Sequence, residues 1–295
     1  MAEGDDVLTA LAFDDNPSAL LALERKVEAQ PDRAAAWCSL GVAHARAGRY
    51  QSALEAFRRA LSLAPGHVTS TAYSGVCLHM LGRHEEAEEI LDYEGMVAVS
   101  PLLPSATDEE TARFNEQLLG HVLHHPTLTW ELTDKAVRGG YQSEELFTPD
   151  APAVIQQFRR LVSARLHQLL ERSDARSSDA TASSDWRLTC WAVSLERGGY
   201  QLPHVHPRGL LSGVYYVRVP SAGPRPHAGA IRFRRQLPWL PPAAPGSIPV
   251  SRVVLPRPGT LVVFPSYFWH DTVPFDADTT RVSLAFDLFV PSERP

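Results

Sequence analysis

QLPHVHPRGLLSGVYYVRV, residues 201–219, is the stretch that decides the fold of the second half of the chain. His204 and His206 are two residues apart, so in an extended strand their side chains project from the same face. A Pro-Arg-Gly turn follows, and the run Leu210–Val219 has the β-branched and aromatic composition of a strand. Two neutral imidazoles on one face of a sheet can bind a divalent metal, so the stretch predicts a metal site that takes a further ligand from elsewhere in the chain.

Short strands, punctuated by proline and glycine, continue on both sides of this stretch from Trp186 onward. The predicted strands are 186–195, 201–206, 211–219, 229–234, 252–255, 260–264 and 281–289. No helical pattern separates them, so the sheet is predicted to be largely antiparallel and to form a barrel or a sandwich. Two amphipathic helices are predicted before the strands, over Asp108–Leu123 and Ala151–Leu170, and Thr107 with Glu110 forms a capping box for the first.

Helical repeats are predicted in the first hundred residues. Arg33–Pro65 has large, small and turn residues at the spacing of a tetratricopeptide repeat, namely Trp37, Leu40, Gly41, Gly48, Tyr50, Ala53, Phe57, Ala60 and Pro65. The pattern returns 34 residues later at Gly75, Gly82 and Ala87, with Leu91 replacing the aromatic residue, and a half repeat with Ala19 and Pro31 precedes it. Two interpretations stay open: a helical cap that packs on the second domain or on another subunit, or a surface that binds a peptide or protein.

Composition excludes several classes of protein. The chain has 295 residues, of which 44% are hydrophobic and 21% charged, as in a globular protein with a substantial core. The formal net charge of −6 argues against nucleic acid as the main partner. No apolar run approaches the roughly 20 residues of a membrane span, and residues 1–15 lack a signal-peptide pattern. Three cysteines without metal-type spacing predict reduced thiols, and together these features predict a cytoplasmic protein.

Three segments of the second half resemble the Fe(II)- and 2-oxoglutarate-dependent oxygenases. The segment HVHPRGLLSGVYYV is similar to the strands that carry the H-x-D motif of that family and its following tyrosine strand. The segment PGTLVVFPSYFWH ends in a histidine, His270, at the position of the family's distal histidine. The segment TTRVSLAFDL contains an Arg-x-Ser pair, Arg281 and Ser283. The resemblance covers roughly 108–291 and implies a double-stranded β-helix, a jelly-roll barrel with iron near its open end.

The resemblance also implies roles for individual residues. His204 and His270 match the two histidines that bind iron in this family. Arg281 and Ser283 match the pair that binds the C5 carboxylate of 2-oxoglutarate, for which a guanidinium fork is well suited. Tyr216 matches a tyrosine that donates to the same carboxylate in related prolyl hydroxylases. Dioxygen would then oxidise 2-oxoglutarate to succinate and carbon dioxide while the substrate is hydroxylated.

The chain departs from the H-x-D motif at His206, which stands where the family has a carboxylate. In a first interpretation His206 binds the metal and completes a three-histidine face, as in some thiol dioxygenases. In a second, His206 lies outside the ligand set and water takes the third position, as in aspartyl/asparaginyl β-hydroxylases. In a third, a nearby carboxylate such as Asp271 or Asp276 supplies the ligand. A neutral ligand in place of a carboxylate raises the net positive charge of the site by one.

The sequence therefore predicts an α+β protein of two domains, with helical repeats at 1–100 and an oxygenase jelly roll with flanking helices at 101–295. The predicted activity is Fe(II)- and 2-oxoglutarate-dependent hydroxylation, with metal ligands His204, His206 and His270 and with 2-oxoglutarate bound by Arg281, Ser283 and Tyr216. The predicted substrate is a peptide, a protein or an amino-acid derivative, and the repeats are candidates for protein binding or self-association. The alternatives are a catalytically degenerate barrel that binds proteins through its repeats, and a three-histidine dioxygenase that does not use 2-oxoglutarate.

Overall fold

A computed structural model describes residues 17–174, 186–221, 226–242 and 251–289. The predicted absence of a signal peptide concerns residues outside these ranges. The helices are α1 Pro17–Ala29, α2 Ala34–Arg46, α3 Tyr50–Leu63, α4 Val68–Met80, α5 His84–Ile90, α6 Tyr93–Met96, α7 Asp108–Val122 and α8 Ala153–Asp174. The strands are β1 Ala98–Pro101, β2 Thr129–Trp130, β3 Val137–Gln142, β4 Arg187–Gln201, β5 Leu211–Arg218, β6 Ile231–Arg234, β7 Ser251–Val254, β8 Thr260–Pro265, β9 His270–Thr272 and β10 Arg281–Phe289. Among the described residues no helix is both long and apolar enough to cross a membrane.

The first five helices form the predicted repeats. Gly41 of α2 lies against Phe57 of α3, where a Cβ atom would approach the ring to 2.5 Å. The equivalent pair 34 residues later is Gly75 with Leu91, where the same distance would be 2.6 Å. The turn between the two helices of each repeat is at Gly48 and Gly82, which have φ values of 71° and 75° that favour glycine. The spacing of small and large residues thus determines how closely the paired helices cross.

Two antiparallel sheets form the second half, as the strand pattern predicts. The larger has the strand order β1-β8-β5-β10-β4-β3-β2, and the smaller has the order β7-β6-β9. A further bridge joins His204 to His270 of β9, with backbone N–H···O distances of 3.0 and 3.1 Å in the two directions. This bridge brings the two distant histidine segments together beside the smaller sheet.

Successive side chains of β5 and β10 point alternately to a face covered by helices and to a face that lines the interior between the two sheets. The even-numbered residues of β10 from Val282 to Leu288 and Tyr215 of β5 pack in one core with α7 and α8. The Tyr215 hydroxyl donates to Asn115 of α7 at 2.6 Å, which satisfies its polar group in that core. Successive side chains of a strand point to opposite faces, so Tyr216 and the odd-numbered residues of β10 face the interior between the sheets.

The repeats pack directly on the strands that carry the two histidine segments. The ring of Tyr73 in α4 meets Trp269 edge-on at a centroid distance of 5.2 Å, and Trp239 also contacts Trp269, at 5.5 Å. Val205 belongs to the same buried cluster. This contact is what the cap interpretation predicts; a peptide-binding role of the repeats and a domain boundary at residue 100 stay predictions.

Several elements differ from the predicted ones. β4 extends to Gln201, because its pairing with β3 resumes after a register shift near Gly140. The predicted strand 201–206 therefore reduces to the end of β4 and the His204 bridge. The capping box at Thr107 and Glu110 is present as predicted. All three cysteines lie within the described ranges, are buried and form no disulfide.

Candidate active site

Three histidines converge at the end of the cavity between the sheets. His204, His206 and His270 each offer one ring nitrogen, and these three atoms lie within 4.8 Å of one another. The Nε2 atoms of His206 and His270 are 3.3 Å apart, and the two rings are parallel to within 6°. His204 and His270 are buried, and the His206 side chain is 12% exposed. The structure therefore brings together the three predicted ligands from segments that are 64 residues apart in sequence.

In each of the three histidines, the hydrogen bond made by Nδ1 determines which ring nitrogen carries the proton. Nδ1 of His204 is 2.7 Å from the Leu202 carbonyl, and Nδ1 of His270 is 2.9 Å from the Phe268 carbonyl. Because a carbonyl oxygen only accepts, each Nδ1 carries a proton and donates it. His206 donates in the same way from Nδ1 to Oδ2 of Asp287 at 3.0 Å. In the neutral rings all three Nε2 atoms then present lone pairs to one small volume, which is the arrangement that a cation would satisfy.

Burial keeps the imidazoles of His204 and His270 neutral. Desolvation, followed by the neighbouring His206, lowers the pKa of His204 to about 4. Desolvation, followed by His204 and His206, lowers the pKa of His270 well below its ordinary value. Neutral imidazole is the form that binds a metal, so these two rings are ready to coordinate at neutral pH.

The spacing of two of the three donors matches that in a facially bound metal ion. Two nitrogens bound at about 2.1 Å in adjacent octahedral positions lie about 3.0 Å apart, close to the 3.3 Å between Nε2 of His206 and His270. Imidazole nitrogens suit iron, copper, zinc and nickel, so the ligand type alone does not select the metal. The geometry favours the first interpretation of His206, as a third ligand.

Asp271 and Asp276 give no support to the interpretation in which a nearby carboxylate is the third ligand. Asp271 accepts from Arg232 at 2.7 and 3.0 Å and from Arg234 at 2.7 and 2.9 Å, away from the three imidazoles. It follows His270 in an extended segment, so its side chain lies on the opposite face. Asp276 accepts from Arg197 at an exposed position.

Arg281 is a buried cation without a carboxylate partner among the described residues. Its side chain is 1% exposed, its Nε donates to the Gly229 carbonyl at 3.0 Å, and Nη1 lies 3.4 Å from Oγ of Ser283. The guanidinium carbon lies 4.8 Å from the ring centroid of Tyr216. Burial lowers the pKa of Arg281, and Tyr216 is the only described residue that offsets this effect. A buried cation compensated so weakly is expected to bind an anion.

Tyr216 and Ser283 complete this end of the cavity. The Tyr216 hydroxyl is buried and has no hydrogen-bond partner of good geometry in the described structure. A buried hydroxyl usually has a partner, so an anion that accepts from both Tyr216 and Arg281 would satisfy two groups at once. One narrow cavity of about 30 Å³ is lined by Arg281, Tyr216, Ser283 and the three histidines. This volume holds roughly two waters, so a larger ligand would enter only as the lining side chains move apart.

A wider cavity opens to solvent above the histidines. Its volume is about 400 Å³, and it shares Trp191, Gln201, His204 and His206 with the narrow one. The Trp191 ring stacks on His206 at a centroid distance of 5.7 Å. The two cavities therefore meet at the candidate metal position, with an anion end below it and an open mouth above it.

Asp287 is the residue of this site that sequence reasoning missed. It lies at the open end of β10 and is 7% exposed. It lines the wider cavity and holds His206. A signal was present in the sequence, because residues 281, 283 and 287 are polar or charged at period two in an otherwise apolar strand. The sequence does not predict its partner, because no local pattern indicates that residue 287 lies beside residue 206.

Comparisons with known proteins fit this architecture. Residues 189–287 match the family model described as "Putative 2OG-Fe(II) oxygenase", and residues 7–68 match the model "Tetratricopeptide repeat". The predicted resemblance is thereby confirmed for both halves. A search of the curated proteins finds no match to this chain.

Solved structures similar to this chain share little of its sequence. A prolyl-4-hydroxylase from Pseudomonas putida is 20% identical, with 68% of this chain and 96% of that one covered and a TM-score of 0.46. A prolyl hydroxylase from Trichoplax adhaerens, in complex with a hypoxia inducible factor peptide fragment, is 12% identical, with coverages of 72% and 92% and a TM-score of 0.45. HygX from Streptomyces hygroscopicus, with nickel and 2-oxoglutarate bound, is 13% identical, with coverages of 69% and 87% and a TM-score of 0.45.

Proposed function

Starting from the match of residues 189–287 to the 2OG-Fe(II) oxygenase family, we propose that the chain is an Fe(II)- and 2-oxoglutarate-dependent dioxygenase. One observation carries this proposal: three converging imidazoles and a buried guanidinium, which has no carboxylate partner among the described residues, line the same narrow cavity. His204, His206 and His270 would hold the iron through Nε2. Arg281, Ser283 and Tyr216 would hold the far carboxylate of 2-oxoglutarate.

Bound iron and 2-oxoglutarate together supply the oxidising chemistry, in which dioxygen converts the keto acid to succinate and carbon dioxide and a hydroxyl group is added to the substrate. The chain contributes position and protection. Arg281 and Tyr216 would bind one carboxylate of the diacid in the cavity that the histidines also line. Trp191 covers His206 on the side of the open mouth and limits the access of water to the centre.

The substrate would enter through the wider cavity. Its open mouth and volume of about 400 Å³ suit a side chain presented by a peptide or protein, or a free amino-acid derivative. The repeats lie beside the strands of the metal site, so a protein substrate could also contact their uncovered helical surface.

The experiment uses the full-length chain, loaded anaerobically with Fe(II). Calorimetric titration with 2-oxoglutarate is expected to show binding, and oxygen is then expected to yield succinate, even without substrate, at a slow uncoupled rate. The variant H270A, which removes one predicted ligand, is expected to lose both iron uptake and succinate formation. A chain that binds no iron would contradict the proposal.

The second candidate, a three-histidine dioxygenase that does not use 2-oxoglutarate, is favoured by the third histidine. It leaves the buried charge of Arg281 and the hydroxyl of Tyr216 without a ligand to satisfy them. The same titration separates the two functions: iron uptake without 2-oxoglutarate binding would favour the second.

A further inference from the structure

The buried carboxylate of Asp287 has one ionisable partner among the described residues, and that partner is His206. Oδ2 accepts from Nδ1 of His206 at 3.0 Å, and Oδ1 accepts from Oγ of Ser212 at 2.6 Å. The Asp287 side chain is 9% exposed, so water screens its charge poorly. No arginine or lysine in the described ranges lies within ion-pair distance of it. A buried carboxylate without a cationic partner is costly, unless a cation is bound nearby.

We propose that Asp287 supplies, through His206, the negative charge that a directly bound carboxylate supplies in the H-x-D motif. The inference rests on the proposed function. Fe(II) with two neutral histidines and a carboxylate has a net charge of +1, whereas three neutral histidines leave it at +2. With Asp287 included, the net charge returns to +1. The negative charge of Asp287 would thus lie one residue farther from the metal than the carboxylate of the H-x-D motif, behind the imidazole of His206.

The effect would act through the ligand itself. A carboxylate that accepts from Nδ1 increases the electron density at Nε2, which makes the imidazole a stronger ligand, and it fixes the orientation of the ring. Asp287 is a positioning residue in this sense, since it does not contact the metal. His204 and His270 lack such a partner, because their Nδ1 atoms donate to backbone carbonyls. Of the three histidines, only His206, which stands in place of the carboxylate of the H-x-D motif, thus has a negatively charged group at Nδ1.

The surrounding hydrogen bonds hold Asp287 and His206 in register. Oγ of Ser212 lies 2.8 Å from Oγ of Ser266. The backbone N–H of His206 donates to the Ser266 carbonyl at 3.0 Å. Ser212 and Ser266 therefore connect the carboxylate on β10 with the loop that carries His206. Both oxygens of Asp287 accept hydrogen bonds, one from His206 and one from Ser212.

The test measures metal affinity rather than turnover. The full chain and its variants are titrated anaerobically with Mn(II) in a calorimeter, after circular dichroism has shown that each is folded. The variant D287N keeps the shape of the side chain and removes its charge, and it is expected to weaken Mn(II) binding by about 10- to 100-fold. The matched control is D271N, which removes a buried carboxylate beside His270 that points away from the site. D271N is expected to lower the melting temperature more and the Mn(II) affinity less than D287N does.

A rescue experiment separates charge placement from a purely structural role. H206D alone restores the H-x-D motif but places two carboxylates side by side, so it is expected to bind Mn(II) no better than the wild type and to melt at a lower temperature. The double variant H206D/D287N has one carboxylate again, now at the ligand position. It is expected to bind Mn(II) within a few-fold of the wild type and at least about threefold more tightly than D287N.

Three results would overturn the inference. Wild-type affinity in folded D287N would do so, as would a double variant that binds no better than D287N. In both cases the wild type still binds the metal, so the proposed function would survive. A wild-type chain that takes up no Mn(II) or Fe(II) would overturn the proposed function and this inference together.

Discussion

The two ends of β10 carry buried charges of opposite sign on the same face of the strand, six residues apart. Arg281 at the closed end has a carbonyl, a serine and an aromatic ring around it, and no carboxylate among the described residues. Asp287 at the open end has both oxygens engaged, one by His206 and one by Ser212. The Arg281 end has a charge that an anion from outside the chain would satisfy. The Asp287 end holds His206, which would itself bind the metal.

This difference teaches how to distinguish a binding group from a supporting group. A buried charge that the protein leaves unsatisfied costs free energy, which only an incoming partner recovers. A buried carboxylate whose two oxygens accept hydrogen bonds from the chain has already recovered part of its desolvation free energy. It also orients the side chain that donates to it. The Arg281 end and the Asp287 end should therefore respond differently to the same kinds of substitution.

The largest expected effect is at Arg281. The variant R281M removes the cation and keeps an apolar side chain of similar length, so the affinity for 2-oxoglutarate is expected to fall by about 100-fold or more. Because the cation is unpaired without a ligand, the ligand-free variant is expected to gain about 1 kcal/mol in free energy of unfolding. Calorimetry with Fe(II)-loaded protein and urea denaturation measure these two quantities.

The control is R218M, the same substitution at an arginine whose Nε donates to the Thr280 carbonyl. It is expected to leave the affinity for 2-oxoglutarate unchanged. An apolar replacement at the other end, D287L, leaves His206 and Ser212 without their acceptor and is expected to lose about 2 kcal/mol. If R281M and D287L changed stability in the same direction, the distinction between the two ends would be wrong.

His204 should make the metal-free chain sensitive to acid. Its pKa is about 4 in the folded state and near 6.5 in the unfolded state, so between these values the unfolded chain binds the extra proton. The free energy of unfolding is therefore expected to fall as pH decreases from about 6.5 to 4, by up to about 1.4 kcal/mol per pH unit from this residue. Urea unfolding of metal-free protein at several pH values measures the slope.

The variant H204L separates this contribution from those of other groups, since it is expected to have a shallower slope over the same range. Desolvation by burial is the main reason that the neutral form of His204 dominates in the folded chain. An unchanged slope in H204L would mean that this imidazole does not titrate differently on unfolding.

A smaller effect is expected for Y216F at the closed end. The hydroxyl of Tyr216 has no partner of good geometry without a ligand, so its removal is expected to leave the stability of the ligand-free chain unchanged or slightly higher. The affinity for 2-oxoglutarate is expected to fall about tenfold, as for the loss of one hydrogen bond to a charged group. Calorimetry and urea denaturation again give both values.

The adjacent residue provides the matched control. Y215F removes a hydroxyl that donates to Asn115, so it is expected to lose about 1 kcal/mol of stability and to keep its affinity for 2-oxoglutarate. The opposite pattern in these two variants would show that the assignment of the two faces of β5 is reversed.

The smallest expected effect is at the serine that supports Asp287. S212A keeps the carboxylate charge and removes one of its two hydrogen bonds, so the Mn(II) affinity is expected to fall by only about threefold. S143A is a suitable control, because it removes a buried hydroxyl that accepts from the backbone of Ala192. Calorimetry that gives equal affinities for S212A and S143A would count against a role of Ser212 in holding the carboxylate.

Sequence patterns predict most of this fold where the signal is periodic. Gly41 with Phe57 and Gly75 with Leu91 repeat at 34 residues, so the repeats can be recognised before any coordinates exist. The short strands β2 and β9 have too few residues for a period to be visible, and they become strands only through pairing with distant partners.

The candidate site is predictable to a similar extent. The three histidines and Arg281 follow from motif spacing, and the structure places them around one cavity. The connection of Asp287 to His206 depends on the loop path between β4 and β5, which no local pattern specifies. The engagement of Asp271 by Arg232 and Arg234 also requires the pairing of β6 with β9.

Val205 lies between two of the converging histidines in the chain, and Trp269 precedes the third. Both residues are buried in one cluster with residues of α4 and its neighbours. A shortened chain that begins after the repeats would expose a large aromatic surface directly behind the histidines. The helices therefore support the candidate metal site from behind, and engineering of this protein should keep both halves in one piece.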